Sequence, residues 1–146
     1  MDPRLIADVN AAEGRRLTAY KDDRGFWTAG VGHKLDQSKD WTNVTFTAAQ
    51  SDAWLAADLE AAQQQAATLP EWTRLDTACR QNAIVECVFN LGMGHWVAEF
   101  PNTRDAIMSS NWPSAYKNML DSPEWIADVG LTRVTRLATY LLNGEY

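Results

Sequence analysis

The sequence predicts an α+β fold: mostly helical, with a small N-terminal lobe carrying a β-hairpin or short sheet, a long connecting helix and an all-helical C-terminal lobe. Three observations predict it. Short apolar runs flank a polar, Gly-ended turn between residues 17 and 31. A capping box at Thr47 opens an alanine- and leucine-rich stretch. Beyond residue 76, apolar residues recur at helical spacing in segments punctuated by Pro and Gly. At 146 residues the chain suits one domain, 1–146. Its N-terminal lobe is expected over about 12–58, the connecting helix over about 47–69 and the helical lobe over about 70–146.

The elements follow in order. Asp2 can cap a first helix, with Pro3 at a position where proline is tolerated; Leu5, Ile6, Val9 and Ala12 repeat at helical spacing, and Gly14 stops it. Leu17 to Ala19 and Phe26 to Val31 read as strands joined by Asp22-Asp23-Arg24-Gly25, and Gly30, Gly32 and the polar run to Asn43 imply further turns or a third short strand. The helix opened by Thr47-Ala-Ala-Gln50 should run past twenty residues to Leu69, where Pro70 ends it. A helix over about 76–91 places Ala83, Ile84, Cys87, Val88 and Leu91 on one side, and Gly92 and Gly94 end it. Shorter helices are expected near 103–110, 113–120 and 123–128, separated by Asn102, Pro113 and Pro123, before a last one over 131–142.

Composition narrows the function. The net charge is −6; residues 1–40 balance seven basic against seven acidic side chains, and the remainder holds six against twelve. An acidic chain without a basic recognition helix is a poor binder of nucleic acid. No run approaches the ~20 apolar residues of a membrane span. Met1 to Glu13 lacks the apolar stretch of a secretory signal, so the chain is expected to begin in the cytoplasm. Cys79 and Cys87 fall in one helix about 12 Å apart, too far for a disulfide. With two histidines and no CxxC, neither a metal set nor a nucleotide motif is visible, and no cofactor is expected. The seven tryptophans read as core or half-buried by default, with Trp41, in a polar stretch, next in line for a surface role.

One constellation suits glycoside hydrolysis. That chemistry needs a group that gives a proton to the leaving oxygen and a second that activates water or attacks carbon. Glu13 stands at a helix C-terminus, where the helix dipole disfavours ionisation, and burial in a cleft would add to that. Asp22 opens a polar turn whose backbone N–H groups and solvent can keep it ionised, although Asp23 beside it competes for the role. Thr28 lies on the returning strand, where its hydroxyl can help hold a water.

Glu13-Gly14, eight residues to Asp22, then Gly25-Phe26-Trp27-Thr28-Ala29-Gly30-Val31-Gly32-His33 resembles the signature of the phage-type lysozymes, the endolysin muramidases. Arg80 to Gly92 and Phe100-Pro101-Asn102-Thr103 are similar to a second block of that family, so the resemblance covers residues 3 to about 140. It implies a lysozyme-like fold and cleavage of the β-1,4 bond between N-acetylmuramic acid and N-acetylglucosamine in bacterial peptidoglycan, with inversion the family's usual outcome. Glu13 is then like the general acid, Asp22 the second carboxylate, Thr28 the residue that positions water, and Phe89, Asn102 and Thr103 substrate-cleft positions. His33 is like a histidine in a structural ion pair, with Asp58 where its partner would fall. Gly130-Leu131 is followed by Arg133 and Arg136, which are not adjacent as in some members, and either can face the cleft. The implied protein is a monomer that waits in the host cytoplasm for a holin-type membrane protein to release it to the wall. A lytic transglycosylase, which manages with one acid, a peptidoglycan-binding module, which would lack Glu13, and a helical DNA-binding protein are the competing readings.

Overall fold

Residues 2–146 are described by a computed structural model. Among them are eight α-helices, one 3-10 helix and one three-stranded antiparallel sheet, an α+β arrangement. The chain forms two compact units, the first ending at Ala61 and the second spanning Ala62–Tyr146.

In the first unit, helix α1 (Pro3–Glu13) begins where Asp2 accepts the Arg4 N–H (2.9 Å) and ends at Gly14, whose φ of +70° is costly for other residues. Leu5 and Val9, one turn apart, are fully buried. Strands β1 (Arg16–Lys21), β2 (Trp27–Gly30) and β3 (His33–Lys34) follow in sheet order β1-β2-β3. Tyr20 faces Thr28 and Thr28 faces Lys34, so these three side chains share one face of the sheet. The pairing register shifts between Arg16 and Tyr20. Gln37 fastens the loop after β3: its amide donates to the carbonyls of Trp27 (2.9 Å) and Leu35 (2.7 Å) and its oxygen accepts the Trp27 N–H (2.7 Å).

Helix α2 (Ala48–Ala66) starts with a reciprocal capping box: Thr47 N–H donates to Gln50 Oε1 (2.8 Å) and Gln50 N–H to Thr47 Oγ1 (3.1 Å). Its early turns meet the sheet closely, because a Cβ on Gly30 would lie 2.8 Å from Ser51 Oγ and 3.3 Å from the Trp54 ring. An aromatic chain fills the space beside this contact. His33 stacks on Trp54 (4.5 Å), Phe46 meets Trp54 edge-on (4.8 Å) and Trp41 tilts against Phe46 (5.7 Å). Trp41 also donates its indole N–H to the Asp36 carbonyl (2.8 Å), so it is half-buried packing rather than a free surface ring.

In the second unit, a 3-10 helix (Pro70–Arg74) leads to α3 (Ala78–Leu91), capped by Thr77, whose Oγ1 accepts the Arg80 N–H (3.2 Å). Helices α4 (Met93–Glu99), α5 (Pro101–Met108), α6 (Trp112–Leu120), α7 (Pro123–Val129) and α8 (Leu131–Asn143) follow. Helix α3 is buried around most of its circumference and packs on α4 and α8; α6 lies against α5 and α8. Cys79 and Cys87 are free and buried in α3.

Three expectations need correction. Helix α2 stops at Ala66 rather than near Leu69, and Pro70, with its fixed φ, opens the 3-10 turn. Residues 93–99 form α4, so Gly94 lies inside a helix; Gly92 alone, with φ +83°, ends α3. Asn102 does not separate helices; it lies in the first turn of α5, which Pro101 starts.

Two buried charge clusters tie the second unit together. Arg80 donates from Nε to the Leu141 carbonyl (2.8 Å) and from Nη2 to the Leu142 carbonyl (3.1 Å), groups that the end of α8 cannot satisfy itself. Its Nη1 pairs with Asp76 (2.8 Å) and its guanidinium lies 3.9 Å from the Trp112 ring centre. Glu71, 1% exposed, accepts from Arg104 Nε (2.6 Å) and Nη2 (3.1 Å) and from the Trp96 indole (3.1 Å). Burial raises the Glu71 pKa, but the hydrogen bonds from Arg104, the backbone and Trp96 outweigh it, and the net direction is down.

Two predictions follow from this packing. Gly30→Ala meets both the positive φ and the Ser51 contact, and should destabilise the protein by about 2 kcal/mol or more in urea unfolding; Gly30→Ala at wild-type stability would show that the contact relaxes freely. Because the folded-state pKa of Glu71 is depressed, its contribution is present above the unfolded carboxylate value of about 4.3 and is lost as pH falls through the folded value. Glu71→Gln should therefore lower stability at pH 7 by about 2–4 kcal/mol and flatten its decline in acid, measured by thermal unfolding across pH.

Candidate active site

Glu13 owes its place to a helix stop. It is the last residue of α1 and is exposed. Two residues later β1 begins, and its end carries Asp22.

Asp22 organises the hairpin turn. Its Oδ1 accepts the N–H groups of Arg24 (2.9 Å) and Phe26 (2.9 Å), its own N–H donates to the Phe26 carbonyl (2.9 Å), and its carbonyl accepts the Gly25 N–H (2.9 Å). Oδ2 accepts from the Lys34 ammonium. The Lys34 hydrogen bond, followed by that of the Phe26 backbone, holds the Asp22 carboxyl below its usual range. Asp23, next in the turn, is exposed, and its carboxylate takes no part in this wiring.

Thr28 is 2% exposed, and its hydroxyl donates to the Phe26 carbonyl (2.9 Å). The proton is thereby committed, and through its lone pairs the oxygen can only accept. Tyr20 stands across the ladder from Thr28. Burial raises its phenol pKa, Arg16, stacked 3.7 Å from the ring centre, opposes the rise, and the charges of Asp22, Glu13 and Asp23 add to it. The fields of both candidate catalytic carboxylates therefore meet at one tyrosine.

His33 Nδ1 lies 2.8 Å from Asp58 Oδ2 on α2, so that pair links β3 to the helix while the imidazole stacks on Trp54. His95 lies 3.1 Å from Glu99 on α4.

The remaining candidates lie in the second unit. Asn102 and Thr103, in the first turn of α5, line a pocket with Glu99, Phe100, Asn118 and Asp121; Phe89, half-buried near the end of α3, is not among its lining residues. Thr103 is buried and Asn102 exposed, and the Asn118 amide is oriented by the Ser114 carbonyl (2.9 Å). Asn90 accepts the Trp125 indole N–H (2.8 Å). Arg136 donates to buried Glu86 (3.1 Å), and Arg133 is itself buried. Burial drives the Cys87 thiol pKa far upward, with Glu86 adding to it, so that thiol stays protonated. Among the described residues, no group of three or more His, Cys, Asp or Glu side chains is set to hold a metal, and no helix is long and apolar enough to cross a membrane.

Sequence reasoning missed Lys34, Tyr20 and Asn118. The alternation of β1 and β3 offered a signal for the first two, since it puts both on the face of Thr28.

The phage lysozyme family profile matches residues 10–135, most of the chain and all of the Glu13–His33 segment. The chain belongs to the phage lysozyme family. The chain is 34% identical over 90 residues to the endolysin of Salmonella phage P22, a match covering 60% of this chain and 60% of that endolysin's length. It is 26% identical over 134 residues to probable T4-type lysozyme 1 of Dictyostelium discoideum, covering 75% of this chain and 78% of that protein. The segment matched by the family profile includes Arg133 and ends just before Arg136.

Proposed function

We propose that this phage lysozyme is a glycosidase that hydrolyses the β-1,4 bond between N-acetylmuramic acid and N-acetylglucosamine in bacterial peptidoglycan. The observation that carries the reading is the pairing of an ionised Asp22 with an acceptor-only Thr28. A water that attacks carbon must present a lone pair to it, so both its hydrogens should be taken up elsewhere. Asp22 Oδ2 accepts one and ends with the proton; Thr28 Oγ1 accepts the other. Glu13, at the negative end of the α1 dipole, gives its proton to the leaving oxygen. Water is delivered directly, with no covalent sugar on the enzyme, so the reaction inverts the anomeric centre. This arrangement favours Asp22 over Asp23, whose exposed side chain is not held by the turn.

Asn102 and Thr103 are assigned to sugar contacts by their shared pocket, with Phe89 a further contact carried by the family resemblance. His33 and Asp58 are assigned a structural role, holding the sheet to α2. The biological reading is that of an endolysin: a monomer kept in the host cytoplasm, freed by a holin-type protein, and acting on the wall in the periplasm to lyse the cell.

Digestion of purified peptidoglycan with mass analysis of the released muropeptides tests this reading. Wild type should release reducing-end muramic acid products. Glu13→Gln and Asp22→Asn should each lower the rate by about 10²–10⁴-fold, and Thr28→Val by about tenfold or more, with folding intact. Anhydromuramic products would make the enzyme a transglycosylase, and full activity in Asp22→Asn with loss in Asp23→Asn would move the base to Asp23.

A further inference from the structure

We propose that Lys34 is a positioning residue for hydrolysis: its ammonium holds Oδ2 of Asp22 so that the carboxylate's remaining lone pair and the Thr28 hydroxyl bear on one water. The inference rests on the reading of Asp22 as the base.

The geometry is that of the sheet. Lys34 pairs across the ladder with Thr28, which pairs with Tyr20, so the three side chains form a row across β3, β2 and β1. Asp22 and Phe26 sit two residues along from Tyr20 and Thr28, at the same side of the turn. From β3 the Lys34 side chain reaches past the Phe26 ring, with Nζ 5.1 Å from its centre, to Asp22. A carboxylate offers about four lone-pair sites. Arg24 and Phe26 N–H groups take two on Oδ1 and Lys34 takes one on Oδ2, which leaves one. Backbone bonds to Oδ1 alone let the carboxylate tilt about that anchored oxygen; a third bond on the other oxygen stops the tilt.

The other charges near Asp22 do not substitute for Lys34. Arg24 contributes its backbone N–H, and Arg16 is directed onto the Tyr20 ring. Lys21 lies on the opposite face against Trp27 (5.2 Å). Asp23 in the turn and Glu13 at the end of α1 are acidic side chains and supply no cation to Asp22.

The test compares wild type, Lys34→Met and Lys34→Arg by two independent readouts: carbon NMR titration of the Asp22 carboxyl, and pH profiles of kcat and KM on soluble peptidoglycan fragments. Thermal unfolding checks that each variant is folded. In Lys34→Met the Asp22 titration and the acid limb of kcat/KM should move together to higher pH. The rate should fall about tenfold at the acid end and less than about threefold at neutral pH, in kcat rather than KM. Lys34→Arg should restore both. If neither the titration nor the acid limb moves in folded Lys34→Met, Lys34 does not position Asp22 and the proposal is overturned. If the titration moves while the acid limb stays, Lys34 holds the carboxylate but Asp22 is not the base, and the proposal falls with the assignment beneath it. A change in KM alone would make Lys34 a substrate contact instead.

Discussion

Two backbone N–H groups, those of Arg24 and Phe26, converge on one oxygen of Asp22, and that closure sets the geometry of the hairpin around it. It ends β1 and turns the chain back into β2, two residues ahead of Thr28. The Phe26 carbonyl, fixed by the Asp22 N–H, then takes the Thr28 proton as well. The bonds that build the turn thus add to the Lys34 hydrogen bond in keeping Asp22 ionised, and they leave Thr28 as an acceptor. Structure and chemistry share one small set of hydrogen bonds, and a substitution there changes both at once.

The sheet that carries this turn is too small to hold itself. Three short strands expose two faces, and an isolated ribbon of this size is marginal in water. The sheet is anchored on α2 through the close approach of Gly30 to Ser51, the His33–Asp58 pair and the His33–Trp54 stack. In the row formed by Tyr20, Thr28 and Lys34, Lys34 is exposed, Tyr20 half-buried and Thr28 buried between them. The second unit relies instead on buried charges that meet partners: Glu71 with Arg104 and Trp96, and Arg80 with the carbonyls at the end of α8. Each would be strongly destabilising if left unpaired, so they fix which helix meets which.

Most of this was legible where the signal is local. The Asp2 cap, the Gly14 stop, the Thr47–Gln50 box and the Gly-ended hairpin turn each depend on residues within a few positions of one another. Helix α4 escaped because two glycines bracketing Met93 read as breakers, whereas the turn needs only Gly92 in a positive-φ conformation. Lys34 escaped because its partner is 12 residues back, and Arg80 because its acceptors are 61 and 62 residues ahead. No periodicity carries such pairings. The His33–Asp58 pairing, 25 residues apart, came from family resemblance and not from spacing. In the candidate site, the reactive residue types were readable, and the hydrogen bonds that assign each oxygen were not.

The central claim is that a water held by Asp22 and Thr28 attacks the sugar directly. The most direct test is the configuration of the newly formed reducing end, followed by proton NMR in the first moments of digestion, before mutarotation scrambles it. Direct attack on the β-linked sugar predicts that the α-anomer appears first. First appearance of the β-anomer would mean two displacements through the enzyme, and would contradict the role given to Asp22 and its water.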